Sequence, residues 1–290
     1  TQTDVKVTRL NNYPIVTKTR SYRNELAPKF SLLKKINNNF HWLASISRGF
    51  SPPTVAEVLP STGVISTDLE AENGWNYETT FRSFLLRRKL TLELTAFYFK
   101  LNDALVQRRD ISGGDYFVNA GDVMQKGIEF HADYNQSFPG GFIRHFSVRS
   151  DVTLNHFRYG TFIKGTDDFS GKRAPSVPAS VVALMADVNS SAGIYLHATY
   201  YGASAIYLND ANTAKAEPYH LLGCRAGWKS TLHKSRIRLN IYAGIDNLLD
   251  ETYSLGNDIN AAVNRYYNAA SGRNYYAGVA FQWIKAVSSK

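Results

Sequence analysis

The sequence of 290 residues predicts an all-β fold, an antiparallel transmembrane β-barrel with about twelve strands present. Three observations predict it. Apolar side chains recur with period two rather than at helical spacing. The connections between the alternating segments are by turns short and long. The tryptophans sit near strand ends, on the apolar faces.

The clearest alternation runs over 236–247, where Ile237, Leu239, Ile241, Ala243 and Ile245 oppose Arg236, Arg238, Asn240, Tyr242, Gly244 and Asp246. Over 146–157, Phe146, Val148, Val152 and Leu154 oppose Ser147, Arg149, Asp151, Thr153 and Asn155. Over 123–135, Ile128, Phe130, Ala132 and Tyr134 oppose Gln125, Glu129, His131, Asp133 and Asn135. Over 219–230, Leu222, Cys224, Ala226 and Trp228 oppose Gly223, Arg225, Gly227 and Lys229. Strands are expected near 1–10, 26–36, 39–50, 74–86, 90–109, 115–136, 143–158, 178–188, 192–202, 218–230, 236–247 and 273–284.

Short connections fall at 37–38, 87–89, 137–142, 189–191 and 231–235. Long ones fall at 11–25, 51–73, 159–177, 203–217 and 248–272. The connection at 110–114 is short where a long one is due, but its flanking strands are long and would project as a tall hairpin. A barrel in a bilayer sorts its loops this way, with tight turns on one rim and elaborate loops on the other. A soluble sandwich or lipocalin-like barrel shares the alternation but has no reason to sort its loops. Trp42, Trp228 and Trp283 lie at the short-turn or terminal end of their strands, and Trp75 with Tyr77 at the long-loop end. Amphipathic rings at both ends match the two aromatic girdles of a membrane barrel.

Composition narrows the remaining classes. The net charge of +9 comes from residues scattered through strands and loops, without the dense basic tract of a nucleic-acid binder. The single cysteine, Cys224, excludes an internal disulfide framework and falls on an apolar face as a small residue. No run approaches the ~18 apolar residues of a membrane helix. The first residues are alternating and polar, unlike a signal peptide, so an export signal is expected upstream or already removed. No G-x-S-x-G element or convincing Ser/His/acid set appears, so no catalytic residue is expected and the chain is read as a non-enzyme. Glycines at 112–114 and 139–141 fit hairpin turns rather than phosphate loops.

Several stretches resemble a known family. Residues 45–57 (SISRGFSPPTVAE) are similar to the passage from a barrel strand into an extracellular loop in TonB-dependent receptors. Residues 69–77 (LEAENGWNY) resemble that family's L-x-P-E re-entry, with Ala71 in place of the usual proline. Residues 94–103 (LTAFYFKLND), 116–129 (YFVNAGDVMQKGIE), 245–253 (IDNLLDETY) and 272–281 (GRNYYAGVAF) resemble its later strands, in family order.

The resemblance implies that residues 1–290 are the C-terminal portion of a siderophore-receptor-like, 22-stranded barrel, with the plug domain and TonB box not among them. It implies a multi-pass protein of the bacterial outer membrane. The implied activity is ligand-gated, TonB-coupled uptake of a scarce nutrient, foremost a ferric siderophore, with TonB engaged through the plug and no resident cofactor. Outer-membrane lipid is the other expected partner; nucleic acid is not. A passive pore or structural barrel is the alternative. The tail after Trp283 and Ile284, KAVSSK, departs from the family's usual aromatic terminus.

With the C-terminus on the inner side, ligand contacts are expected on the outer loops from Arg108, Arg109, Tyr116, Lys172, Arg173, Arg265, Tyr266 and Tyr267. Cationic and aromatic groups suit an anionic chelate. The competing reading is a solvated loop or contact with lipopolysaccharide phosphates. Trp42, Trp75, Trp228 and Trp283 are expected at the membrane interfaces. His131, Asp133, His145, Arg149 and Asp151 read as neutral pairs on a polar wall rather than a metal site.

Overall fold

A computed structural model describes residues 3–9, 16–22, 26–63, 65–164, 166–232 and 237–283. Strands β1 (Thr3–Arg9) and β2 (Val16–Tyr22) pair as an antiparallel hairpin of their own. Then come β3 (Lys29–Lys35), β4 (Phe40–Ser51), β5 (Glu72–Leu85) and β6 (Leu90–Asn102). A small hairpin, β7 (Leu105–Arg109) with β8 (Asp115–Asn119), leads into β9 (Asp122–Ser137) and β10 (Ile143–Tyr159). The pair β11 (Ile163–Lys164) and β12 (Asp167–Asp168) precedes β13 (Ser180–Ser190) and β14 (Ile194–Ala203). The pair β15 (Ile206–Tyr207) and β16 (Lys215–Ala216) precedes β17 (Tyr219–Leu232), β18 (Ile237–Asp246) and β19 (Asn274–Trp283).

Eleven of these strands form one antiparallel sheet in chain order, with β3 and β19 as its open edges. Tight turns join the strands at one rim: 36–39, 86–89, 138–142 and 191–193. Five long connections lie at the other: 52–71, 103–121, 160–179, 204–218 and 247–273. The expected sorting of loops is therefore present. Expectations for the tail after Trp283, for most of 11–15 and 23–25, and for the tip of the turn at 231–235 fall outside the described residues.

Three expectations on strands need correction. The segment 1–10 does not join the sheet; β1 pairs only with β2, whose residues were expected as loop. The segment 90–109 is two strands, broken where Asp103 turns the chain with φ 56°. The segment 115–136 is likewise two, broken at Gly121, whose φ is +67°. A Cβ at Gly121 would also run into the Thr161 carbonyl oxygen, so glycine suits this bend twice over.

The alternation places one chemistry on each face. Register aligns Trp42, Phe81, Leu94, Phe130, Val152 and Val182 in a row across six strands. Another row on this face runs Ile194, Trp228, Ile241 and Val279. Cys224 lies between Ala198 and Ile245, as a small apolar residue should. These side chains are not covered: Phe81 is 53 % exposed and Val279 55 %. The opposite face pairs charged and polar side chains across strands. Arg82 binds Glu93 at 2.6 Å, His131 binds Asp151 at 2.6 Å, Arg149 binds Asp133 at 3.0 Å and His197 binds Asp187 at 2.8 Å.

The buried apolar clusters lie elsewhere, among the long loops. One gathers Ala104, Ala120, Val123, Tyr159 and Phe162; the other gathers Leu208, Ala216, Ala261 and Tyr266. Neither lies under the sheet. Among the described residues the apolar face thus has no protein layer against it, and burying it requires an apolar solvent.

Glycines inside the strands have a packing reason on the polar face. The Tyr195 ring lies over Gly227, Tyr242 over Gly278, and Tyr276 over Gly244. Each tyrosine and its glycine are direct cross-strand partners. A ring folded flat on a bare backbone shields it and fixes register, a device known from designed barrels.

Each tryptophan lies towards one end of its strand. Trp42 Nε1 donates to Thr79 Oγ1 at 2.8 Å, and Trp228 Nε1 donates to the Ala192 carbonyl in a tight turn at 3.0 Å. Trp283 ends β19 on the same rim. Trp75 lies at the loop rim, flanked in register by Arg48 and Lys100.

Candidate functional site

The long loops are rich in asparagine and aspartate, which bond backbone groups locally and stabilise irregular chain. Here those side chains also reach between loops. Asn119 Nδ2 donates to the Glu70 carbonyl, and the Glu70 amide donates back to Asn119 Oδ1 at 2.8 Å. The Asp115 amide donates to Ser61 Oγ at 2.6 Å. Asn212 clamps the backbone of Arg173, accepting from its amide at 2.8 Å and donating to its carbonyl at 2.9 Å. Tyr267 Oη donates to the Lys215 carbonyl at 2.8 Å. All five long connections are tied into one cap.

At the centre of the cap lies a buried ion pair. Asp210, 1 % exposed, meets the Arg108 guanidinium and accepts from Tyr159 Oη at 2.6 Å. Its amide donates to Asn260 Oδ1 at 3.0 Å, and Asn260 Nδ2 donates onward to the Gln107 carbonyl. Phe162 and Phe169 flank the guanidinium, with ring centroids 5.2 and 5.3 Å from Cζ. Arg108 Nε and Nη2 have no hydrogen-bond acceptor among the described residues, and the ring faces and Asp210 balance the charge. Four chain segments from four different loops or strand ends meet here.

Beneath the cap is a cavity of about 320 Å³ lined by Glu72, Gln107, Gln125, Phe157, Tyr159 and Asp210, among others. A second crevice of about 240 Å³ opens between the loops beside Tyr201, Tyr219, Glu217 and Asn257.

The eight residues expected to meet ligand divide into two groups. Arg108 and Tyr266 are corrected: 7 % and 6 % exposed, they are held inside the cap and not presented outward. Arg108 turned inward because Asp210 offers it a buried counter-charge. Tyr266 turned inward to join Leu208 and Ala216, with its hydroxyl accepting from Asn209 at 3.3 Å. Arg109 is partly covered, bonding Asp115 at 2.7 Å and lying 3.7 Å from Asp258. Tyr116 is the cross-strand partner of Arg108. Arg173 is half-buried, while Lys172, Arg265 and Tyr267 remain exposed. The sequence reading missed Asp210, Asn212 and Asn260. Their trace was present as two matching tetrapeptides, NDAN at 209–212 and NDIN at 257–260, each in a long loop.

An open sheet with an uncovered apolar face, a charged opposite face and long loops on one rim is the architecture of a segment of a transmembrane β-barrel. A family model described as "TonB dependent receptor-like, beta-barrel" matches residues 1–248, and the chain belongs to that family. Among solved structures, the chain is similar to the ferric yersiniabactin uptake receptor FyuA of Yersinia pestis, with 18 % identity and TM-score 0.63, covering 96 % of this chain. It is similar to the siderophore receptor PiuA of Acinetobacter baumannii, with 16 % identity and TM-score 0.70 over 95 % of this chain. It is also similar to the copper transporter OprC, with 13 % identity and TM-score 0.69 over 96 %. The chain spans 40, 38 and 43 % of those three chains respectively. At such identities the likeness establishes the fold, and the family implies an outer-membrane setting.

Proposed function

We propose that this chain supplies wall strands and outer loops of a ligand-gated importer in the bacterial outer membrane. The ligand is a ferric siderophore or a similar small anionic chelate. Energy reaches the receptor from the TonB complex through a plug elsewhere in the protein. The observation that carries this reading is the cap: five long loops tied together over the end of a charged sheet face, with cavities between and below them. A passive pore needs an open mouth, whereas a capture site needs a shaped one. FyuA and PiuA, which share the fold, are described as a ferric yersiniabactin receptor and a siderophore receptor. OprC is described as a copper transporter, so the fold alone does not select the metal.

Exposed Lys172, Arg265 and Tyr267, with Arg109 and Arg173 beside them in the loops, are the proposed ligand contacts. Their chemistry suits carboxylate or catecholate oxygens. The test is uptake of radiolabelled iron chelates by cells carrying or lacking the full gene. Energy-dependent uptake of one chelate class, abolished by a protonophore, is expected. Uptake that persists after the protonophore would instead favour the passive pore.

A further inference from the structure

The polar face of the last strands divides its charge along their length. Arg225, Lys229 and Arg238 stand on it at successive levels, opposite Gly244, Asn240 and Thr231 in register. A strand rises about 3.3 Å per residue, so the three levels span roughly 20 Å, from mid-strand to the tight-turn rim. Nearer the loops, this face of β14, β17, β18 and β19 carries no lysine or arginine among the described strand residues. Its carboxylate there is Asp246, at the loop end of β18. Asp187 on the neighbouring β13 is engaged by His197 at 2.8 Å. The three cations have no carboxylate partner among the described residues.

Tyrosine rings hold these cations in place. Arg225 lies over Tyr242, with Cζ 3.8 Å from the ring centroid, and Tyr195 is 5.9 Å away. Its Nε is buried with no hydrogen-bond partner among the described residues. Lys229 Nζ lies 4.5 Å from the Tyr195 centroid. Arg238 Nη1 donates to Gln282 Oε1 at 3.2 Å. The same two rings lie over Gly227 and Gly278, so backbone, rings and cations make one low wall. A ring face positions a cation but leaves its charge in place. The charge of the strip is therefore offered to the space in front of it. A cation that grips a neighbouring domain reaches out, whereas Arg225 and Lys229 are folded down on the wall.

We propose that this strip of β17 and β18 is the lane along which an anionic chelate, released from the loop cap, passes inward. The proposal rests on the transport reading above and on the polar face being the interior one. The exposed loop cations Lys172 and Arg265 meet the anion first. Arg225, Lys229 and Arg238 then offer it successive sites of the same sign. Neighbouring levels lie about 7–13 Å apart, close to the ~8 Å screening length, so their fields overlap. Passage needs sites attractive enough to enter and weak enough to leave. Several cations spread along a smooth wall meet that need better than one deep pocket.

The first test reads the charge of the strip without any ligand. In the intact receptor, Cys224→Ser removes the native thiol, and Ala280→Cys places one on β19 in the row of Asn240 and Lys229. The probes are methanethiosulfonates bearing a sulfonate or a trimethylammonium group. The ratio of their rates should favour the sulfonate about tenfold over the ratio for a free cysteine peptide. Lys229→Gln should remove most of that preference, and Lys229→Gln with Arg225→Gln all of it. Lys229 is exposed, so the single variant serves if the double one does not fold; heat-resistant gel migration reports folding. A ratio equal to the peptide's, or unchanged in the variants, would overturn the lane. Protection from both reagents, lost on unfolding, would show a plug segment docked on the strip and would overturn it equally. The second test gives cells a radiolabelled ferric tris-catecholate. The double variant should bind it at the loops as wild type does and import it about fivefold more slowly. Equal import would overturn the lane and leave the transport reading standing. Wild-type cells that import no ferric chelate, with the labelling preference intact, would overturn the transport reading and the lane with it.

Discussion

Asp210 shows how much one residue holds. It is nearly inaccessible, carries a charge, and joins β7, the end of β10 and two loops through Arg108, Tyr159 and Asn260. Removing one partner of a buried ion pair strands the other, at a cost of about 3–5 kcal/mol. Asp210→Ala should therefore loosen the cap and speed protease cleavage within 204–218, while the sheet stays folded. Replacing both partners, as Arg108→Met with Asp210→Leu, should cost much less, because no charge is left buried. Equal cleavage rates in wild type and Asp210→Ala would contradict this role. A milder test concerns Asp115, in the rim hairpin outside the membrane wall. Its hydrogen bond from Arg109 holds the carboxyl below the usual carboxylate range. A depressed value means the tie is fully present above about pH 4 and is lost as pH falls through the folded value. Hydrogen-exchange protection at 103–121, taken relative to the intrinsic rate at each pH, should then fall on acidification, and Asp115→Asn should show the lower protection already at neutral pH. None of these roles could be read from a single position in the sequence. Arg108 reads as an exposed loop cation until its partner, about a hundred residues away, is placed beside it.

At the level of strands and hairpins, much was legible because a period of two needs no knowledge of partners. Ile237 to Ile245 alternate in the sequence and share a face in the sheet. The exceptions have local causes. The alternation over 90–109 continues past Asp103, yet the chain bends there through a left-handed residue that the pattern does not register. Val16–Tyr22 forms a strand although its sequence, VTKTRSY, has no apolar face to alternate. It docks instead through the buried Tyr22 and through Arg20, which bonds Glu70 at 2.6 Å. The tyrosine-over-glycine pairs give a prediction at this scale. A Cβ at Gly278 would sit 2.5 Å from the Tyr242 ring, and one at Gly227 2.5 Å from the Tyr195 ring. Gly278→Val should displace the ring and destabilise the wall by about 1–3 kcal/mol, the usual cost of overpacking. Urea unfolding in detergent micelles measures it; an unchanged midpoint would remove the packing role assigned to these pairs.

Among the described residues the molecule is a sheet whose apolar side has no protein layer and whose edges, β3 and β19, are open. Unpaired edge groups are costly in hydrocarbon, where nothing else can bond them. Residues 1–290 expressed alone should accordingly fail to give a monomeric, heat-resistant barrel, as judged by gel mobility before and after boiling. A stable monomeric barrel from this chain alone would show that the edges can meet without further strands. The loop cap was only half visible at this scale: sequence located the long loops, but not the Asx side chains that fasten them to one another.

The central claim is that one sheet face meets lipid and the other a polar interior. It is tested most directly in the intact receptor, with Cys224→Ser removing the native thiol and single cysteines introduced along β18. A fluorophore at positions 239, 241 and 243 should be quenched strongly by brominated lipids, and at 238, 240 and 242 only weakly. Uniform quenching along the strand, or quenching with the opposite phase, would contradict the account.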